Sequence, residues 1–96
     1  MSIRFLPEAR VEFDASVDWY EAQRMGLGVD FVARVGDALE RITANPQLHA
    51  IVYKKVRKAV VRKFPFVILY QKDAEEVLVI SVFHTARDPS IWKSRV

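Results

Sequence analysis

The apolar residues of this chain change period once, near residue 50, and that change limits what it can fold into. Up to Asn45-Pro46 they recur at three- and four-residue intervals, the spacing of one helix face; from Ile51 onward they come in β-branched and aromatic runs. Within Pro7 to Arg24, the residues Ala9, Phe13, Val17 and Tyr20 form one apolar stripe. Glu8, Glu12, Asp14, Asp18 and Glu21 lie mostly off it, so the predicted helix is amphipathic and acidic. Gly26-Leu27-Gly28 interrupts the pattern. A second helix then runs to Asn45-Pro46 with Phe31, Val35, Ala38, Leu39 and Ile42 at helical spacing, giving an antiparallel helical hairpin. Ahead of both, Ile3 to Leu6 reads as a short strand, and Pro7 suits the first position of a helix.

The second half reads as strands at Ile51–Tyr53, Val56–Phe64, Phe66–Gln71 and Val77–Phe83, with Lys72 to Glu76 as a polar turn. Short connections favour antiparallel neighbours. Asp88-Pro89 reads as an N-cap followed by proline at the first helical position, opening a short helical tail through Ile91 and Trp92. The predicted fold is α+β, in the order β-α-α-β-β-β with a helical tail. Two amphipathic helices bury their stripes against each other and one sheet face, which leaves the other face free.

Ninety-six residues make one domain, 1–96, and a chain this short holds one core. With 51% hydrophobic and 28% charged residues it has a globular composition, and with no cysteine it has neither disulfides nor thiolate metal ligands. The start of the sequence lacks a long apolar segment, and no run approaches the roughly 20 apolar residues of a membrane span. A cytoplasmic protein without membrane contact is expected. Net charge is +3, but residues 1–49 carry five Lys/Arg against eight Asp/Glu, whereas residues 50–96 carry ten against four. Such a basic half suggests an anionic partner, either nucleic acid or an acidic protein segment.

The strongest charge signal is Lys54, Lys55, Arg57, Lys58, Arg62 and Lys63, six cations within ten residues. They are candidates for contact with a target or a partner carboxylate, set against a solvated strand or an edge guarded by lysine. His84 and Arg87, at the end of the last strand, are the best candidates for one pocket. An imidazole serves as acid or base near neutral pH, and a guanidinium grips a phosphate or carboxylate; equally, both side chains could fix the tail. Trp19, Tyr20, Phe64, Phe66 and Tyr70 read as core rather than as a base-stacking platform, while Trp92, in a basic tail with Lys93 and Arg95, is a candidate docking residue. His49 stands alone, so no metal is expected, and Gly26-Leu27-Gly28 lacks the strand and further glycines of a phosphate loop, so neither is a nucleotide cofactor.

Trp19-Tyr20-Glu21, Gly26-Leu27-Gly28 with Phe31, Asn45-Pro46, Arg57, Phe64-Pro65-Phe66, Tyr70 and His84-Thr85-Ala86-Arg87-Asp88-Pro89 occur here in a familiar order. Across nearly its whole length the chain resembles a RelE/ParE-superfamily toxin of the plasmid stabilisation branch. The resemblance implies a helical hairpin on a curved antiparallel sheet and a cognate antitoxin that folds over the toxin, giving a hetero-oligomer. Some members cleave mRNA on the ribosome and others inhibit DNA gyrase. Val67 and Thr85 stand where the nucleases resemble one another in having basic residues, which favours a gyrase-directed, non-enzymatic toxin. In the alternative, an mRNA endonuclease, Arg57 or Arg62 would hold phosphate while His84 and Arg87 supply proton transfer and charge stabilisation. A third expectation is a relic that only forms the antitoxin complex.

Overall fold

Pro7 separates the first strand from the first helix. The computed structural model describes residues 1–96, and in it β1 (Ser2–Phe5) leads directly into α1 (Pro7–Gln23). The predicted stripe is the one that packs: Ala9 is fully buried, with Phe13, Val17 and Tyr20 against the core beside it. Two glycines and a glutamate build the turn into α2 (Leu27–Ala44). Gly26 adopts φ +89°, and a Cβ on Gly28 would stand 2.8 Å from the Val17 carbonyl oxygen, so the helices approach closely there. Glu21 accepts the backbone N–H of Gly26 and of Gly28, each at 2.9 Å. One carboxylate thereby caps the start of α2, where helical N–H groups lack partners and the helix dipole is positive. Phe31, Val35, Ala38 and Ile42 of α2 then bury themselves against the sheet.

The strands β2 (Ile51–Tyr53), β3 (Val56–Val61), β4 (Phe66–Lys72) and β5 (Glu76–His84) join β1 in one sheet of order β1-β5-β4-β3-β2. β2 to β5 are antiparallel neighbours, as their short connections predict. β1 differs: it pairs with β5 in parallel, making the sheet mixed. Its direction is free of any turn constraint, because the whole helical hairpin and three strands separate it from its partner. An ion pair between Arg4 and Glu76 at 3.1 Å ties the two strands. β3 stops at Val61 rather than at Phe64, and residues 62–65 form a turn with Lys63 at φ 69°. Pro65 has no N–H to give to a ladder, which accounts for the early stop.

Along β4, Phe66, Ile68 and Tyr70 enter the cluster under the helices, while Val67 and Leu69 enter a second cluster on the opposite face. That opposite face is not free, contrary to expectation. The chain returns over it through α3 (Ser90–Lys93), and Ile91, Trp92 and Val96 pack on Val56, Leu69, Ile80 and Phe83. The physical reason is the apolar character of β4 and β5 on both faces, which one helical layer cannot cover. Asp88 accepts the Ser90 N–H at 2.9 Å at the start of the tail. No helix is long and apolar enough to cross a membrane.

Candidate functional site

β1 ends at Phe5 and pairs only with Glu76–Val79, so the last part of β5 runs past its neighbour. α1 lies beside this stretch, and between them opens a groove of about 560 Å³, lined on the helix side by Ala15, Ser16, Trp19 and Tyr20. Pro65, Phe66, His84 and Arg87 form its other wall. A second hollow of about 310 Å³ shares Ala15, Ser16, His84 and Arg87 and continues along α1 to Glu12 and Val11. Trp19 is 59% exposed and Val11 67%, so the floor of the combined groove is apolar and open. The two residues expected at one pocket, His84 and Arg87, do meet here.

Their chemistry follows from their partners. The Ala86 N–H donates to His84 Nδ1 at 3.0 Å, so a neutral imidazole carries its proton on Nε2, and the ring stands edge-on to Phe66 at 5.1 Å. Arg87 donates to Glu12 Oε2 at 3.2 Å and lies over the Phe83 ring at 5.6 Å. Glu12 is the hub of this end of the molecule. Its carboxylate also accepts the Ser81 hydroxyl at 2.8 Å and two N–H groups of Arg95, at 2.9 and 3.0 Å, and Arg95 donates further to the Ile80 carbonyl at 3.0 Å. Glu12 and Arg95 are each 11% exposed, whereas Arg87 is 46% exposed. Arg95 thus gives the carboxylate its two-pronged, largely buried partner, and Arg87, paired with the same carboxylate but half-exposed, is the cation that borders the groove.

The basic cluster is divided by the fold. Arg57 turns inward and donates to the carbonyls of Gln47 and His49, at 3.0 and 2.7 Å, holding the loop after α2. Lys54 and Lys55 occupy the turn between β2 and β3, Lys58 lies exposed on β3, and Arg62 and Lys63 sit in the turn before β4. Lys63 lines a hollow near the helical hairpin with Arg24, Asp30 and Arg34. Arg62 does not line the His84 groove, so the sequence grouping of His84, Arg87 and Arg62 is reduced to its first two members. Trp92, expected to dock a partner, is only 5% exposed; it fills the second core cluster and stands edge-on to Tyr53 at 5.9 Å. Of the aromatics expected to pack, Tyr20, Phe64, Phe66 and Tyr70 do so, and Trp19 does not. Val67 is buried beneath the tail.

Sequence reasoning missed Glu12 and the outer ridge of α1. A signal for the ridge exists: Val11, Ala15 and Trp19 recur every four residues, a second apolar line beside the buried one. No group of His, Cys, Asp and Glu side chains is arranged to hold a metal ion.

Among solved structures, a chain described as "Chromosomal ParDE TA system from P. aeruginosa" has a similar fold, with a TM-score of 0.64 at 18% identity over 88% of this chain and 95% of that one. No curated protein matches by sequence. A family model described as "ParE toxin of type II toxin-antitoxin system, parDE" matches residues 3–89. The chain belongs to the ParE toxin family of type II toxin–antitoxin systems.

Proposed function

We propose that this toxin arrests growth by binding and poisoning DNA gyrase, and that a cognate antitoxin neutralises it by laying an apolar, acidic segment into the groove between α1 and β5. The observation that carries the antitoxin reading is the groove itself. It offers exposed Trp19 and Val11 for burial, with Arg87 and the Nε2–H of His84 beside them as donors for a carboxylate. A hetero-oligomer with the antitoxin follows from such docking. For the target, the gyrase reading is favoured because Val67, at a position where the nucleases resemble one another in being basic, contributes packing under the tail, and because Arg62 stands away from His84 and Arg87.

The mRNA endonuclease is the rival reading, favoured by one observation: His84 and Arg87 share a groove. Purified toxin, freed of antitoxin, separates the two. Inhibited supercoiling and accumulated cleavage complexes, retained in His84→Ala, are the expected result. No effect on gyrase at stoichiometric excess, with codon-specific cuts on translating ribosomes that His84→Ala abolishes, would reverse the assignment. The antitoxin reading has its own test: Trp19→Ala and Arg87→Glu should each weaken antitoxin binding at least tenfold, and unchanged affinity in both would remove the groove from it.

A further inference from the structure

From Arg41 to Lys72 the chain carries no carboxylate side chain, and neither does the tail after Asp88. The fold brings these two acid-free segments together. Tyr53, at the end of β2, packs on Trp92, and the ammonium groups of Lys54 and Lys93 lie over the Tyr53 ring at 5.3 and 5.1 Å from its centroid. Lys54 Nζ also donates to the Val96 carbonyl oxygen at 3.1 Å, tying the end of the tail to the β2–β3 turn. Lys55 is exposed on the same turn and Lys58 on the strand that leaves it.

None of these four lysines takes part in the side-chain ion pairs of the molecule, which involve Arg4, Arg10, Arg34, Arg87 and Arg95. The acidic helix α1 packs on the other sheet face, under the first core cluster. Lys54 holds a left-handed backbone, φ 51°, within the turn. Clustered ammoniums raise the local potential and attract polyanions.

We infer that the corner formed by the β2–β3 turn and α3 is a nucleic-acid contact surface, on which Lys54, Lys55, Lys58 and Lys93 neutralise backbone phosphates. The inference is independent of the groove between α1 and β5 and of what docks there. Phosphate polymer fits this corner better than an acidic peptide does. The cations are spread over a hairpin turn, the strand that leaves it and the end of α3, around the half-buried Tyr53, an arrangement that can follow a phosphate backbone.

The test is fluorescence anisotropy of a dye-labelled DNA duplex titrated with the whole chain over a range of salt. Four neutralised phosphates would lower affinity on the order of 100-fold between 50 and 200 mM salt. Lys54→Gly/Lys55→Gln/Lys93→Gln should reduce the logarithmic salt slope by about 3, and Lys55→Gln/Lys58→Gln, which alters only exposed side chains, by about 2. Arg10→Gln/Arg24→Gln/Arg34→Gln removes the same charge from the helices and should leave the slope within about 1 of the unmodified chain. Equal losses in the helix and corner variants would show a general charge effect and overturn the inference. So would complete displacement of the duplex by polyglutamate of equal charge, which would assign the corner to an acidic protein.

Discussion

Glu12 shows how much one residue of this chain settles and how little of that its sequence position reveals. It reads as one acid among five on the outer side of a helix, yet its partners Ser81, Arg87 and Arg95 lie 69, 75 and 83 residues away. Nothing local encodes such a cluster, since it forms only where α1, the overhanging end of β5 and the tail converge. Glu12→Gln leaves Arg95 largely buried without a carboxylate and should destabilise the fold by about 2–3 kcal/mol. Arg95→Ala should cost about as much, whereas Arg87→Ala, on a half-exposed side chain, should stay within about 1 kcal/mol. Urea unfolding of the three variants would check that order, and equal losses at Arg87 and Arg95 would contradict it. The same distinction applies in the basic cluster. Arg57→Ala, which frees two carbonyls of the loop after α2, should cost about 1.5 kcal/mol or more, and Lys55→Ala about 0.5 or less. Six cations adjacent in sequence therefore do separate work, and only the hydrogen bonds tell the anchor from the exposed charges.

At the scale of elements, periodicity made most of the fold legible. Both helices of the hairpin, all five strands and the polar turn around Asp73 stand where the apolar spacing puts them, with β3 ending early at Val61, because each is determined by which face it buries. The exceptions have distinct causes. The parallel placement of β1 depends on a partner far along the chain, and the covering of the second sheet face depends on how the tail folds back. Trp19 stays outside the core because one step from Tyr20 turns it roughly 100° away from the buried stripe. The hairpin of α1 and α2 makes a sharper prediction. Gly28→Ala would put a methyl against the Val17 carbonyl and Glu21, and should cost about 1–3 kcal/mol, seen as a lower thermal midpoint. A midpoint unchanged by that substitution would mean the helices can part there without loss.

For the whole molecule, the division of charge read from the sequence becomes a division of surfaces. The acidic helix α1 borders an apolar groove with one half-exposed cation, and the acid-free segments meet at the opposite sheet face around Tyr53. Stability at alkaline pH depends on two phenols packed in the first core cluster. Burial raises the phenols of Tyr70, which donates to the Pro46 carbonyl at 2.7 Å, and of Tyr20 above the ordinary value of 10.0. Both contributions are fully present below that value. As pH rises past it the unfolded chain ionises first, so stability declines until the folded phenols ionise too. Unfolding midpoints measured from about pH 9 upward should fall, and less steeply in Tyr70→Phe. What the toxin does in a cell decides between gyrase and mRNA as its target. The most direct measurement is transcript 5′-end mapping soon after the chain is induced without its antitoxin, with gyrase-linked DNA breaks scored in the same cells. Growth arrest with DNA breaks and intact transcripts is the predicted result; new cuts within translated codons, without breaks, would contradict it.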